Sequence, residues 1–422
     1  MNLFSVYQKC LKNAGLSEPC LIVDQQKLQA NIRKLKQNVG EKAVRLVVKS
    51  LPSIPLLQFA SERLGTNRFM CFQKPFVLSI LEHFDDADIM LGKPLPTNAV
   101  ESIVQTLIDN GDAKRLDCIH WLVDDLQRCQ QLLMVARKHN IRLRVAIELD
   151  IGMHRGGVDK PEQLTELVNC INANRKQLQL SGLSGYDAHV GKAFWPFIDA
   201  QQEFAKANNR YQQFIDALAD DADKLIFNGG GSLTHTLHKN SCCNEISVGS
   251  VLLKPADFNT QLLQDYENAC FIATPVIKRL PGVTVPFLPD KFNKLLYQDF
   301  DSIFLYGGRW LAQPMYPDLR ASRLYGLSAS QQLMLVAKSD KLAVDDMVFF
   351  LPTRTESILL QFGCMVVLAE DKQMRVSGCW PVLHQGGKVD TERRTQRQRS
   401  RQKNEVDEEL RARDVVIEQT RR

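Results

Sequence analysis

Lys49 follows the apolar run Leu46-Val47-Val48, a setting suited to a strand buried on both faces. A lysine ending such a run is commonly a snorkelling surface residue. Held in an apolar place, however, its amine loses a proton easily, as imine formation with an aldehyde requires. Further along, Gly229, Gly230, Gly231 and Ser232 follow another apolar stretch. Alone they read as a tight turn, yet such a run also lets backbone N–H groups close around a phosphate. Gly249 and Ser250 stand beside a third apolar stretch. Arg155 in Asp150-Ile-Gly-Met-His-Arg155-Gly-Gly157, and Tyr186 and His189 in Gly185-Tyr-Asp-Ala-His189, add a cation, a ring and a proton carrier. Taken singly, Arg155 reads as a surface charge and His189 as a structural histidine.

The elements that must position these groups are legible as repeats. Short apolar segments alternate with helical patterns, the signature of βα units. Eight strands are predicted: Val44–Lys49, Arg68–Phe72, Ala87–Leu91, Cys118–Val123, Arg142–Asp150, Leu178–Tyr186, Lys224–Asn228 and Glu245–Leu253. A lead-in strand, Leu21–Val23, precedes them. The pattern predicts an α/β fold, a (β/α)8 TIM-type barrel over 18–268, with a doubly wound open sheet as the competing arrangement. In such a barrel the residues above fall where strands end and βα loops begin, which is where function collects.

After Ala269 prolines recur and short β-like runs replace long helices: Ser302–Tyr306, Leu333–Ala337, Met347–Leu351, Ser357–Phe362 and Met365–Leu368. We read 269–390 as a smaller β domain, joined by the N-terminal segment 1–17. Residues 391–422 hold ten Lys/Arg against seven Asp/Glu and almost no large apolar side chain, which predicts a disordered or solvated tail. That tail carries +3 of the net +5, so the body shows no basic face and nucleic acid is not an expected partner. With neither a long apolar run nor a signal-like start, the chain is expected to be cytoplasmic and away from membranes. The 11 cysteines, scattered and odd in number, suit a reducing compartment better than a disulfide framework.

In order, these segments resemble the alanine-racemase-type (fold type III) enzymes that use pyridoxal 5′-phosphate (PLP). The resemblance is to the branch of D-threonine aldolase and D-serine dehydratase. It is carried by Glu18-Pro-Cys-Leu-Ile-Val-Asp24 with Leu28 and Asn31, by Val48-Lys49, by Asp150-x-Gly152-x-x-Arg155-x-Gly157, by Tyr186-x-x-His189 and by Gly229-Gly-Gly231. It implies that Lys49 carries the cofactor as a Schiff base. Lys49 or His189 would move the proton, and Arg155 would sit near the phenolic oxygen or the substrate. Tyr186 and His189 would flank the ring, with Gly230, Gly231 and Ser232 on the phosphate. The implied activity is that of a lyase, aldolase or deaminase, acting through an external aldimine on a small, D-configured β-hydroxy amino acid in a homodimer. The alternatives are a racemase using Tyr306, Tyr316 or Tyr325 as a second acid/base, and a PLP-binding protein without turnover.

One departure stands out. The branch usually has Pro-x-His-x-Cys or Pro-x-His-x-Asp in its β domain, supplying metal ligands, whereas this chain reads Pro352-Thr-Arg354-Thr-Glu356. A guanidinium stays protonated and cannot ligate a metal. No metal is therefore expected here. Arg354 is expected to hold a substrate carboxylate, with Glu356 orienting it or accepting a substrate hydroxyl.

Overall fold

The computed structural model describes residues 2–192, 198–218, 224–322, 326–370 and 373–384. The expected tail therefore lies outside the described residues, as does Tyr325. Eight parallel strands close into a barrel: β2 (Ala43–Val47), β3 (Arg68–Cys71), β4 (Asp88–Leu91), β5 (Ile119–Val123), β6 (Leu143–Leu149), β7 (Leu178–Gly185), β8 (Ile226–Gly229) and β9 (Glu245–Val248). β9 pairs with β2, so the expected barrel replaces the open sheet that competed with it. Helices α3 (Ile54–Leu64), α4 (Lys74–His83), α5 (Thr97–Asp109), α6 (Leu126–His139), α7 (Pro161–Ala173) and α8 (Ala200–Asp216) follow β2 to β7. The strands are largely apolar and the helices carry an apolar stripe that they bury on the barrel wall. On α5 the stripe is Val100, Ile103, Val104 and Leu107, at helical spacing. The short loop after β8 runs through a 3₁₀ helix, His235–Asn240, instead of a full helix.

The barrel interior is plugged by charge as well as by side-chain bulk. Arg45 on β2 is fully buried and reaches three elements. Its Nε donates to Glu245 Oε1 at 2.6 Å and its Nη2 to Asp88 Oδ1 at 2.7 Å. The carbonyl oxygens of Phe69 and Asp88 accept from its Nη1. Arg68 donates to Glu245 as well, at 2.7 Å. Such a network is tolerable inside a protein only because almost every donor and acceptor finds a partner.

The remaining strands build a second, nine-stranded sheet. These are β1 (Cys20–Asp24), β10 (Cys270–Leu280), β11 (Phe300–Tyr306), β12 (Ala312–Tyr316), β13 (Leu319–Ala321), β14 (Gln331–Ala337), β15 (Met347–Pro352), β16 (Cys364–Glu370) and β17 (Met374–Pro381). The lead-in strand is placed here rather than against the barrel: β1 runs antiparallel to β10 and parallel to β16. Its follower, helix α2 (Gln25–Val39), packs on the barrel side. The spacing Asp24, Leu28, Asn31 has a structural explanation at this junction. Asp24 caps α2 by accepting from the Lys27 N–H at 3.0 Å, and it also accepts from the Tyr7 hydroxyl of α1 (Leu3–Asn13). Buried Asn31 donates to the carbonyls of Leu252 and Glu267 and accepts from the Glu267 N–H.

Two expectations for this region are corrected. Ser357–Phe362 is not a strand: Thr355–Ile358 is helical and Leu359–Gln361 continues as a 3₁₀ turn. Apolar runs of that length do not distinguish the two by periodicity. A disulfide is also present, joining Cys364 on β16 to Cys379 on the antiparallel neighbour β17. Pairing between strands, invisible in the spacing, brings these two cysteines together. Tyr306 and Tyr316 lie on sheet strands, and neither lines the barrel cavity. No described helix is long and apolar enough to cross a membrane.

Candidate active site

A cavity opens at the C-terminal ends of the barrel strands. The strand carrying Lys49 ends at Val47, and Lys49 sits in the one-turn 3₁₀ helix Val48–Ser50 that follows. Its Nζ lies 4.4 Å from the centroid of the Phe72 ring. Burial lowers the pKa of this ammonium, Glu356 opposes the shift, and Arg155 and Lys93 reinforce it. The result is an amine more easily neutral than an ordinary lysine.

Two loops converge on the same cavity from β8 and β9. Gly230 holds φ at +73°, a conformation that favours glycine. At Gly231 an added Cβ would stand 2.8 Å from the Tyr186 ring, so the ring lies directly on bare backbone. Gly249 is packed as closely, with Ser50 Cβ at 2.8 Å and the Val47 carbonyl oxygen at 2.9 Å from the place a Cβ would take. The Gly249 N–H donates to Ser232 Oγ at 3.1 Å and ties the two loops together. Gly230, Gly231, Ser232, Gly249 and Ser250 all line the cavity. Gly249 and Ser250 lie past the end of β9 instead of inside the strand predicted there. Gly229 is not a lining residue; it ends β8 with its α-carbon facing Cys243 and His238. This glycine-rich lining, in the same cavity as a desolvated amine, fits a phosphorylated aldehyde such as PLP.

Arg155 and Tyr186 share the cavity, with the guanidinium carbon 5.3 Å from the ring centroid. Arg155 stands on a loop fixed by Asp150, whose Oδ1 accepts from the N–H groups of Gly152 and His154 at 2.9 and 3.0 Å. Burial raises the Asp150 pKa, but those bonds outweigh it and leave the carboxyl below its usual range. His189 stands behind this loop and does not line the cavity. Its ring packs against Gly152, with Nε2 3.0 Å from the place a Cβ would take, and its Nδ1 is buried with no hydrogen-bond partner.

The Arg354–Glu356 pair divides. Arg354 is more than half exposed, its Nε donates to Asp257 Oδ2 at 2.7 Å, and it does not line the cavity. The carboxylate it was expected to hold is thus supplied by the chain itself. Glu356 does line the cavity. Its Oε1 accepts from Ser50 Oγ at 2.9 Å and Ser250 Oγ at 3.5 Å, and its Oε2 from Thr355 Oγ1 at 3.4 Å. Among the described residues no group of three His, Cys, Asp or Glu is placed to hold a metal ion.

Several lining residues were not anticipated from sequence. Glu148 and Ser184 point inward from β6 and β7, Asn228 and Ser247 from β8 and β9, and Met70 and Phe72 come from β3 and its loop. Asn228 Nδ2 donates to Glu245 Oε1 and Ser247 Oγ, each at 2.8 Å, which joins the cavity floor to the buried charge network. A polar side chain at an inward position of an otherwise apolar strand was the available signal.

A closed barrel with its cavity at the strand C-termini, joined to a β sheet, defines the alanine-racemase-like architecture. The sequence model of the alanine racemase N-terminal domain family matches residues 23–256, and the chain belongs to that family. A 3-hydroxy-D-aspartate aldolase of Paracoccus denitrificans (strain Pd 1222) is 26% identical over 282 residues, 63% of this chain and 70% of the aldolase. The structure of D-threonine aldolase from Filomicrobium marinum superposes with a TM-score of 0.69 at 19% identity, covering 87% of this chain and 95% of that one. Alanine racemase from Bartonella henselae with covalently bound pyridoxal phosphate gives a TM-score of 0.64 at 15% identity, covering 83% and 100%.

Proposed function

We propose that this protein is a PLP-dependent lyase, an aldolase or deaminase, acting on a small D-configured β-hydroxy amino acid, and that it works as a homodimer. The observation that carries the reading is that one desolvated lysine, Lys49, lines the same cavity as Gly230, Gly231, Ser232 and Gly249. Supporting it are the family membership and the likeness to an aldolase named for 3-hydroxy-D-aspartate.

In this reading Lys49 provides the neutral amine that binds the cofactor aldehyde covalently. Backbone and the Ser232 hydroxyl at the ends of β8 and β9 hold the phosphate. Tyr186 provides a flat surface against which the ring is positioned, and Arg155 offers its guanidinium to an anionic group of cofactor or substrate. When bound, PLP supplies the electron sink for the bond broken at the substrate's α-carbon. Lys49 would also be the group placed to move a proton at the substrate's α-carbon. His189 orders the Gly152 turn from behind and leaves that task to Lys49.

The test is borohydride reduction of the PLP-loaded protein followed by mass mapping. Label on Lys49 is the expected result. Label on Lys254, whose Nζ donates to the Tyr266 carbonyl at 2.6 Å, would overturn the assignment. Incubation with D- and L-serine and threonine then separates the chemistry. Aldehyde with glycine marks an aldolase, and ammonia with a keto acid marks a deaminase.

A further inference from the structure

We infer that the side-chain end of this cavity takes a β-hydroxy amino acid with one carboxylate only, and that Glu356 is the residue excluding a second. The inference rests on the cofactor and amino-acid reading given above. Among the described lining residues four carry full charges: Lys49 and Arg155, Glu148 and Glu356. In the loaded protein Lys49 is committed to its covalent bond, and the phosphate occupies the glycine-rich lining. Arg155 is then the cation left to face a substrate, and the α-carboxylate common to every amino acid takes it. Two further cations act from the rim. Arg354 is engaged by Asp257 at 2.7 Å, and Lys93 is exposed on the loop after β4.

Glu356 is fixed close to the reacting position. Its charge acts on both Lys49 and Tyr186. The hydroxyls of Ser50, Ser250 and Thr355 hold it, all three being neutral donors that orient the carboxylate without cancelling its charge. Oε1 receives two of these bonds and Oε2 one long one, so Oε2 keeps lone pairs for a further donor. A substrate hydroxyl supplies that donor. A substrate side-chain carboxylate meets a fixed like charge within the cavity, with Lys93 and the Asp257-bound Arg354 out on the rim, an arrangement that discriminates against such a partner. The chain would therefore differ in substrate class from the relative named for 3-hydroxy-D-aspartate, whose side chain ends in a carboxylate.

The experiment is an absorbance titration of the PLP-loaded full chain with D-serine, D-threonine and D-threo-3-hydroxyaspartate, on wild type and Glu356→Gln. Wild type should bind the better monocarboxylate at least roughly tenfold more tightly than the dicarboxylate, and Glu356→Gln should narrow that ratio by about tenfold. The narrowing should come mainly from tighter dicarboxylate binding, a gain that a damaged fold cannot produce. The wild-type ratio tests the inference without any variant. Preference for the dicarboxylate by wild type, or an unchanged ratio in a folded Glu356→Gln protein, overturns this inference and leaves the cofactor assignment standing. Absence of borohydride label on Lys49 overturns both readings. A Lys49-labelled protein that binds none of the three amino acids overturns the amino-acid reading together with this one.

Discussion

Arg45 and Glu245 meet inside the barrel through two parallel hydrogen bonds, Nε to Oε1 at 2.6 Å and Nη2 to Oε2 at 2.9 Å, with both side chains fully buried. Glu245 also receives Asn228, so this pair stands directly beneath the cavity floor. Removing Glu245 leaves the buried Arg45 guanidinium with Asp88 as its remaining counter-charge and strips a partner from Arg68 and Asn228, a loss of up to about 3–5 kcal/mol. Glu245→Ala should accordingly lower the unfolding free energy, measured by denaturant titration, by up to that amount. Replacing the pair together by apolar residues of similar volume should cost less. Equal losses in the single and double variants would remove the pairing argument.

Arg354 and Asp257 make the opposite kind of pair, with side chains 58% and 41% exposed. Exposed pairs contribute about 0–1 kcal/mol. Arg354→Ala should leave KM for the amino acid within about twofold and stability nearly unchanged. Chelators should leave the wild-type rate unaltered. A large rise in KM would restore the anion-binding role expected from sequence.

Gly231 carries the Tyr186 ring at a distance that no Cβ fits. Gly231→Ala should weaken PLP binding by about 1–3 kcal/mol, the usual cost of forcing an extra carbon into a packed place. The apo melting temperature should change little, because Tyr186 is 41% exposed and free to yield. Full PLP occupancy at wild-type affinity would argue against a phosphate in this lining.

Lys49 links the site to pH. Its folded-state pKa lies below the ordinary 10.5, chiefly through burial. The rate of PLP uptake by the apo protein should therefore rise with pH through a midpoint below 10.5. Glu356 favours the ammonium, so Glu356→Gln should move that midpoint lower still. In the window between the two Lys49 values the unfolded chain holds a proton that the folded chain lacks. This group therefore adds stability to the apo fold as pH rises there. A midpoint at or above 10.5 would contradict the burial of Lys49.

The barrel was legible because its strands are apolar on both faces and recur between amphipathic helices. That pattern reaches as far as Glu245 without needing any contact distant in sequence. What escaped depends on distant partners. Leu21–Val23 reads as a strand, but only β10 and β16 decide which sheet it joins. Cys364 and Cys379 meet through strand pairing, and Arg354 meets Asp257 across 97 residues of chain. Glu148 and Asn228 were overlooked because inward and outward positions on a strand differ only in register, which one sequence does not print. Lys49, Tyr186 and Gly231 were proposed from residue types that stand out at strand ends, Glu356 from the stretch where the chain departs from its branch, and all four line the cavity.

The position of β1 constrains how this chain can be made. It leaves the ribosome before the barrel does, yet both strands that hold it are synthesised hundreds of residues later. The barrel strands can close while the sheet still lacks its later members, and β1 must wait, an unpaired apolar strand until β10 emerges and a one-sided edge until β16 follows. Truncation from either end thus removes a neighbour from the same central strand. A barrel excised at its own boundaries would leave α2 without the Asp24 that caps it. The two architectures are one object to the cell, finished only when the last strands arrive.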